Sequence, residues 1–197
     1  MKKVYRCDIF WKELSKYKKL EFEEVFFVEE QEVIKEKNNK EFVLKAVSEK
    51  GKFLDLVSDE LKDDDEVVRK ALKNDGEALE FASDRLKGKK DMVLLAIKSA
   101  PWTICYASEQ LKADKEIMLT ACKNYGQALY FASEEIRDDR EIVKLAVENK
   151  GIIIKYASSR LKDDKELAEI AVKQDKKAYY FIGSKLKQDE DIKGLLG

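Results

Sequence analysis

The chain has 197 residues, of which 40% are charged, and its 39 Lys and Arg residues against 40 Asp and Glu residues leave a net charge of -1. This balance is unlike that of a general nucleic-acid binder, whose affinity depends on excess positive charge. The chain has no histidine, which excludes Ser-His-Asp and Cys-His catalysis and removes the commonest zinc ligand.

The first 39 residues do not follow the pattern of the rest of the chain. They are rich in aromatic residues, such as Tyr5, Phe10 and Trp11, which lie between runs of charge. A stack of repeats needs a different element over its exposed end. We therefore predict that residues 1–39 form a divergent N-terminal capping segment of one or two helices.

From residue 40 onward, a 25-residue pattern occurs six times without a gap. The six units are residues 40–64, 65–89, 90–114, 115–139, 140–164 and 165–189. The most constant column, position 7, is alanine in every unit: Ala46, Ala71, Ala96, Ala121, Ala146 and Ala171. A fixed period of this size is typical of stacked supersecondary units. We predict an all-α fold, an α-solenoid of six two-helix repeats, with residues 190–197 as a truncated C-terminal cap.

The first half of each unit has the pattern of a short amphipathic helix. Its apolar positions are 3, 4, 7 and 8, as in Ile142, Val143, Ala146 and Val147, and these share one helical face. An Asp at position 25 of the preceding unit, such as Asp139, is placed to cap the first turn. The helix is expected to end at glycine, as at Gly126 and Gly151, in the left-handed conformation.

The second half of each unit is predicted to be another helix of roughly ten residues, which ends at a basic residue at position 23. Position 19 is serine in the first five units, and Ser83, Ser108, Ser133 and Ser158 each follow a small apolar Ala. We place these serines inside the helix, where the hydroxyl bonds back to a carbonyl and the small residue permits close packing.

Two stretches carry a resemblance to a known family: REIVKLAVENKG followed by YASSRLKDD, and KEIMLTACKNYG followed by YFASEEIRDD. The Ala column, the FAS or YAS core and the Asp cap resemble the domain-of-unknown-function 4116 repeat family over about residues 40–189. That family is a duplicated unit of about twice this period. The resemblance implies a helical repeat with a scaffold or interaction role, and it implies no catalytic residues.

Motifs for catalysis and cofactor binding are absent from the sequence. There is no P-loop, no G-x-G-x-x-G, no G-x-S-x-G and no C-x-x-C pair. The acidic run at residues 63–66 could form either a cation site or a helix cap. We interpret it as a cap, because the same columns are acidic in most units. We therefore expect no enzyme activity, no cofactor and no metal.

The cysteines and the N-terminus indicate the compartment. Cys7, Cys105 and Cys122 are odd in number and far apart, which fits a reducing environment better than a disulfide framework. The N-terminus lacks the apolar core of a signal peptide, and no apolar run is long enough to span a bilayer. We expect a cytoplasmic location and no membrane partner.

Apolar side chains replace polar ones at several columns near the inter-helix turn. The repeat folds without them in sister units, and exposed aromatic residues are typical interface anchors. We predict a partner-binding surface, with local packing or contact with a neighbouring chain as the alternative. The candidate residues are Trp102, Tyr125, Tyr130, Ile152 and Tyr180.

Basic residues recur at positions 1 and 23 and form ridges that suit a phosphate backbone. The alternative interpretation is helix-dipole compensation and solubility, because acidic columns at positions 2 and 25 lie within a few residues. The candidate nucleic-acid residues are Lys87, Lys112, Lys115, Arg137, Arg140 and Lys162.

These observations predict a non-enzymatic scaffold that binds a macromolecular partner. The leading hypothesis is a protein partner, with a role as inhibitor, adaptor or effector, such as an anti-defence inhibitor encoded by a phage. The alternative hypothesis is binding of RNA, DNA or a protein-nucleic-acid complex through the Lys and Arg ridges.

Overall fold

The computed structural model describes residues 28–197, and every regular element in this part of the chain is helical. The predicted all-α helical-repeat architecture is confirmed. A short helix, Glu30–Lys35, precedes the first unit. Residues 1–27 of the predicted capping segment, including Cys7, lie outside the described residues. Between residues 28 and 197, no helix has the length and apolar character needed to cross a membrane.

A ten-residue α-helix opens each unit, and the helices of successive units pack side by side. Their buried face carries the predicted apolar positions, as in Ile142, Val143, Ala146 and Val147. The predicted Asp cap is present, since Asp139 accepts hydrogen bonds from backbone N–H groups of the first turn. The six helices of the described chain are Lys40–Glu49, Asp65–Asn74, Lys90–Ser99, Lys115–Asn124, Arg140–Asn149 and Lys165–Gln174.

The second half of each unit contains two short helices instead of the single helix predicted from the sequence. A 3-10 helix comes first: Gly51–Leu56, Gly76–Phe81, Pro101–Tyr106, Gly126–Phe131, Gly151–Tyr156 and Lys176–Tyr180. A four-residue α-helix follows in the first five units: Asp59–Lys62, Asp84–Lys87, Glu109–Lys112, Glu134–Arg137 and Ser159–Lys162. In the sixth unit its place is taken by the 3-10 helix Leu186–Gln188, and the last helix is Glu190–Gly194.

The break between the two short helices lies at the Ala-Ser pair. Ala132 and Ser133 have extended backbones, with ψ of 153° and 167°. The N–H of Ser133 is therefore not used within a helix, and it donates to the carbonyl of Lys112 in the preceding unit at 3.2 Å. The same bond joins Ser58 to Lys37, Ser83 to Lys62, Ser108 to Lys87, Ser158 to Arg137, and Gly183 to Lys162. The prediction that these serines lie inside a helix is wrong, because the main chain turns there to reach its neighbour.

Two of these serines also use their hydroxyl groups to join units. Ser158 Oγ accepts from the N–H of Leu161 as a helix cap and donates to the Asp138 carboxylate of the preceding unit. Arg160 donates to the same carboxylate at 3.1 Å. Ser158 and Arg160 together lower the pKa of Asp138, because both bind its charged form. Ser83, Asp63 and Arg85 form the equivalent arrangement between the first two units.

The glycine at position 12 is needed for close contact between units and not for a left-handed turn. No glycine between residues 28 and 197 has φ in the left-handed region. A Cβ atom on Gly126 would lie 2.5 Å from the carbonyl oxygen of Ala146, which belongs to the next unit. Gly51, Gly76 and Gly151 meet the carbonyls of Ala71, Ala96 and Ala171 in the same way. The expected left-handed helix end is thus corrected to a steric requirement.

Side-chain amides at position 10 accept hydrogen bonds from the backbone N–H groups of three of these glycines. The N–H of Gly51 donates to Asn74 Oδ1 at 2.7 Å, and Asn74 Nδ2 donates to the carbonyls of Ser48 and Glu49. Asn74 therefore caps the end of a helix in the preceding unit, which leaves fewer backbone groups unpaired at that end. Asn149 and Gln174 bind the N–H groups of Gly126 and Gly151 in the same way.

We expect Gly126→Ala to lower the free energy of unfolding by about 1–3 kcal/mol, the usual cost of overpacking. The new methyl group would overlap the Ala146 carbonyl, which the inter-unit packing holds in place. Gly88→Ala is the matched control, because a Cβ there meets its nearest atom at an ordinary 3.4 Å. Urea denaturation of both variants measures the difference, and equal stabilities would contradict the steric requirement.

A second prediction concerns the serine column. Ser158→Ala should lower the unfolding free energy by about 1 kcal/mol, the typical cost of losing a helix cap. Ser108→Ala removes the same atom at the equivalent position, where the hydroxyl forms no cap within the described chain, and should have little effect. Thermal and urea unfolding of the two variants test this contrast. A larger loss for Ser108→Ala would show that the cap geometry is wrong.

Candidate partner-binding surface

Three of the five predicted interface residues line one groove between the fourth and fifth units. Tyr125 and Tyr130 come from the fourth unit and Ile152 from the fifth. We call this the aromatic groove, which has a volume of about 270 Å³ and is completed by Gln127, Phe131, Lys150, Ile153, Lys155 and Tyr156. Tyr125 and Ile152 are half-buried against the core, so they form its floor.

Tyr130 is the exposed aromatic side chain of the aromatic groove, and its ring is nevertheless held in place. The side chain is 52% exposed. Its ring contacts those of Phe131 and Tyr156 edge-on, with both centroid distances at 5.0 Å. A ring fixed by two neighbours loses little conformational freedom on binding, which favours affinity.

Trp102 and Tyr180 lie outside the aromatic groove. Trp102, in the third unit, is 44% exposed and donates from Nε1 to Glu77 at 3.1 Å. Tyr180, in the sixth unit, is 72% exposed and contacts Tyr179 edge-on. Both are in the same row of 3-10 helices as the groove. Neither residue is among those that line the aromatic groove.

A second groove between the fourth and fifth units carries mainly positive charge. It has a volume of about 430 Å³, and its charged residues are Arg137, Lys155, Lys162 and Glu134. We call it the basic groove. Arg137 donates to the carbonyl of Tyr130 at 2.7 Å, and Lys155 Nζ lies 4.7 Å from the ring centroid of Tyr156. Within residues 28–197 none of its three cations forms an ion pair with a carboxylate.

The equivalent groove between the first and second units has the opposite charge. Its volume is about 440 Å³, and it combines Lys62 and Lys87 with Asp59, Glu80 and Asp84. We call it the acidic groove. Lys87, a candidate nucleic-acid residue, shares this groove with three carboxylates, and its Nζ lies 5.9 Å from the ring centroid of Tyr106.

The basic residues at position 1 are neutralised by ion pairs. Lys115 Nζ lies 2.9 Å from Asp139 and 3.1 Å from Glu141. Arg140 pairs in the same way with two carboxylates, and so do Lys40, Lys90 and Lys165. Lys112, at position 23, binds Glu109, and its side chain is only 12% exposed. Of the six nucleic-acid candidates, Arg137 and Lys162 are the two brought together in the basic groove.

The two cysteines of the described chain, Cys105 and Cys122, do not line these grooves. Burial raises the pKa of Cys122 to about 12 and also raises the pKa of Cys105. Both thiols therefore stay protonated at neutral pH, which makes them poor nucleophiles. No group of three or more His, Cys, Asp or Glu residues within residues 28–197 is arranged to hold a metal ion.

Lys150, Lys155 and Tyr156 are parts of this surface that the sequence did not single out. The signal for Lys155 was present, because position 16 changes from Glu80 in the second unit to Lys155 in the fifth. The signal for Tyr156 was hidden, because position 17 is aromatic in five units, a pattern typical of a packing position.

Comparison with known proteins gives a family and no activity. A family model described as a domain of unknown function (DUF4116) matches residues 39–87, 89–137 and 139–192. Each match covers about two of the 25-residue units. No curated protein and no solved structure matches the chain.

The ion pairs give the protein a defined pH dependence. The carboxyl of Asp138 has a lowered pKa, so its contribution to stability is present above the ordinary value of 3.8 and is lost as pH falls through the lowered value. The pKa of Lys115 is raised from 10.5 by Asp139 and Glu141, so its contribution is lost as pH rises through the raised value. With no histidine in the chain, we expect a constant unfolding free energy between about pH 5 and 8.

Urea titrations at a series of pH values measure this profile. The unfolding free energy should fall below about pH 4, where native carboxylates become protonated, and again above about pH 10. A steep change near neutral pH would contradict the account.

Proposed function

Because the chain belongs to the DUF4116 family, whose function is unknown, we propose a function from its geometry: a helical-repeat scaffold that binds a partner protein at the aromatic groove. Binding interfaces are commonly centred on a few well-packed aromatic anchors in a pocket surrounded by polar residues. The aromatic groove has this composition, with Tyr130 projecting and Lys150 and Lys155 at its side.

The observation that carries the proposal is the fixed exposure of Tyr130. A side chain with half of its surface in water is normally mobile, whereas this ring is in contact with Phe131 and Tyr156 on two sides. The fold does not require the ring, because Asp55, Glu80 and Lys155 occupy the same position in sister units. Binding to a partner is an explanation for an aromatic ring at this position.

The paired cations favour a protein over a nucleic acid. Binding along a phosphate backbone needs a track of free positive charge. Each basic residue at position 1 is paired with two carboxylates near the start of the next unit, as at Lys115 and Arg140. Among the six candidate nucleic-acid residues, only Arg137 and Lys162 lie together in the basic groove, which is too short for such a track.

The protein would act by occupying a surface of its partner, as an inhibitor, adaptor or effector. We propose no catalytic step, and the phage anti-defence role predicted from the sequence is one form of such inhibition.

Site-specific photocrosslinking tests the proposal. A photoreactive phenylalanine analogue at Tyr130 should crosslink a protein in nuclease-treated lysate of the source cells. The matched control places the analogue at Lys70, which is exposed on the row of ten-residue helices. Because the groove lies on the other row, Lys70 should give no crosslink to that protein.

Tyr130→Ala completes the experiment. We expect about a tenfold or greater loss of affinity for the captured protein, as for an interface anchor, with unchanged helix content by circular dichroism. Three results would contradict the proposal: equal crosslinking at both positions, crosslinking that is lost when the lysate is treated with nuclease, or unchanged affinity of Tyr130→Ala.

A further inference from the structure

The aromatic groove and the basic groove form one continuous surface. Lys155 and Tyr156 line both grooves, and the Arg137 guanidinium binds the carbonyl of Tyr130. A peptide that packs an apolar side chain against Tyr130 therefore has neighbouring residues beside the basic groove. The charge of that groove constrains the chemistry of the bound segment.

The cations of the basic groove have unused capacity to donate hydrogen bonds. Arg137 makes one side-chain hydrogen bond, through Nη2, and its buried Nε has no acceptor among the described residues. Lys155 has the face of Tyr156 as its neighbour and Lys162 has no carboxylate within salt-bridge distance in the described chain. Unpaired cations in one groove favour an anionic ligand, because charge-assisted hydrogen bonds are about twice as strong as neutral ones.

The acidic groove shows that this charge is not a requirement of the fold. The two grooves have the same place in the repeat and nearly the same volume. The basic groove has three cations and one carboxylate, whereas the acidic groove has two cations and three carboxylates. Two of the differences lie in the later unit of each pair, where Lys155 and Ser159 stand in place of Glu80 and Asp84. The same backbone thus accepts either charge.

We infer that the segment of the partner bound at the aromatic groove is acidic, with Asp or Glu side chains that bind Arg137, Lys155 and Lys162 beside an apolar anchor that packs on Tyr130. The inference rests on the proposed function and specifies its ligand. Carboxylates fit better than a polyanion, because Glu134 lies in the same groove and the neighbouring position 1 cations are already paired. Electrostatic complementarity of this kind gives specificity and a faster association rate.

The test uses a display library of short random peptides, selected against the full chain. We expect selected peptides to contain Asp or Glu next to an aromatic or aliphatic residue. A fluorescein-labelled synthetic peptide with the consensus sequence then gives affinities by fluorescence anisotropy. The double variant Lys155→Glu with Ser159→Asp should bind this peptide about tenfold or more weakly, as expected when charge-assisted hydrogen bonds are replaced by repulsion.

The double variant is well matched, because it installs the residues that the second unit carries at the same positions. Glu80→Lys with Asp84→Ser in the acidic groove is the control, and it should leave the affinity unchanged. An unchanged melting temperature in both double variants confirms that each is folded.

Three results would overturn the inference, and the first of them distinguishes it from the proposed function. Selected peptides that lack acidic residues and depend on Tyr130 but not on Lys155 would overturn the inference and leave the proposed function intact. Peptides that depend on neither residue would overturn both. Labelled oligo-dT is the third probe, and binding of oligo-dT that depends on Lys155, with no peptide selected, would assign the groove to nucleic acid.

Discussion

A single backbone hydrogen bond, from the N–H at position 19 of one unit to the carbonyl at position 23 of the unit before, organises the repeat. It exists because the helix breaks at the Ala-Ser pair, and a buried N–H without a partner would cost free energy. The short N-terminal segment takes part as well, since Ser58 donates to Lys37. The break also separates a 3-10 helix from a four-residue α-helix in each of the first five units, and the grooves lie between these short helices of successive units. Small residues at the contacts, such as Gly126, allow the close approach.

The ten-residue helices could be predicted from the sequence because their apolar spacing and Asp caps are local signals. The break in the second half of each unit could not be predicted in this way. A 3-10 helix followed by a turn also places apolar residues three and four apart, and a half-buried serine suits a helix interior as well as a cap. The partner of Ser133, the carbonyl of Lys112, is 21 residues away and becomes adjacent only when units stack. The role of Gly126 has the same origin, because the Ala146 carbonyl that excludes its side chain belongs to the next unit.

The sequence identified residues of the candidate site, but it did not predict which of them lie together. Comparison of columns identified Tyr130 as an apolar replacement at a polar position, and such a replacement is visible without coordinates. Its grouping with Ile152, and the exclusion of Trp102 and Tyr180, depend on which units face each other. Whether a basic residue forms an ion pair with a carboxylate of another unit also depends on the tertiary structure. Lys115 is neutralised by Asp139 and Glu141, which flank the equivalent position in the next unit. These acidic columns were identified from the sequence, but their ion pairs with the basic residue one repeat earlier were not predicted from it.

The grooves between units depend most directly on the break at the Ala-Ser pair, because a continuous second helix would place different side chains between the units. Backbone NMR assignment measures it through the Cα chemical shifts. We predict extended-type shifts at Ala132, Ser133, Ala157 and Ser158 between two helical stretches, together with slow amide exchange at Ser133 and Ser158. Helical shifts that continue from residue 126 to residue 137 would contradict the account, since the grooves between the fourth and fifth units would then be absent.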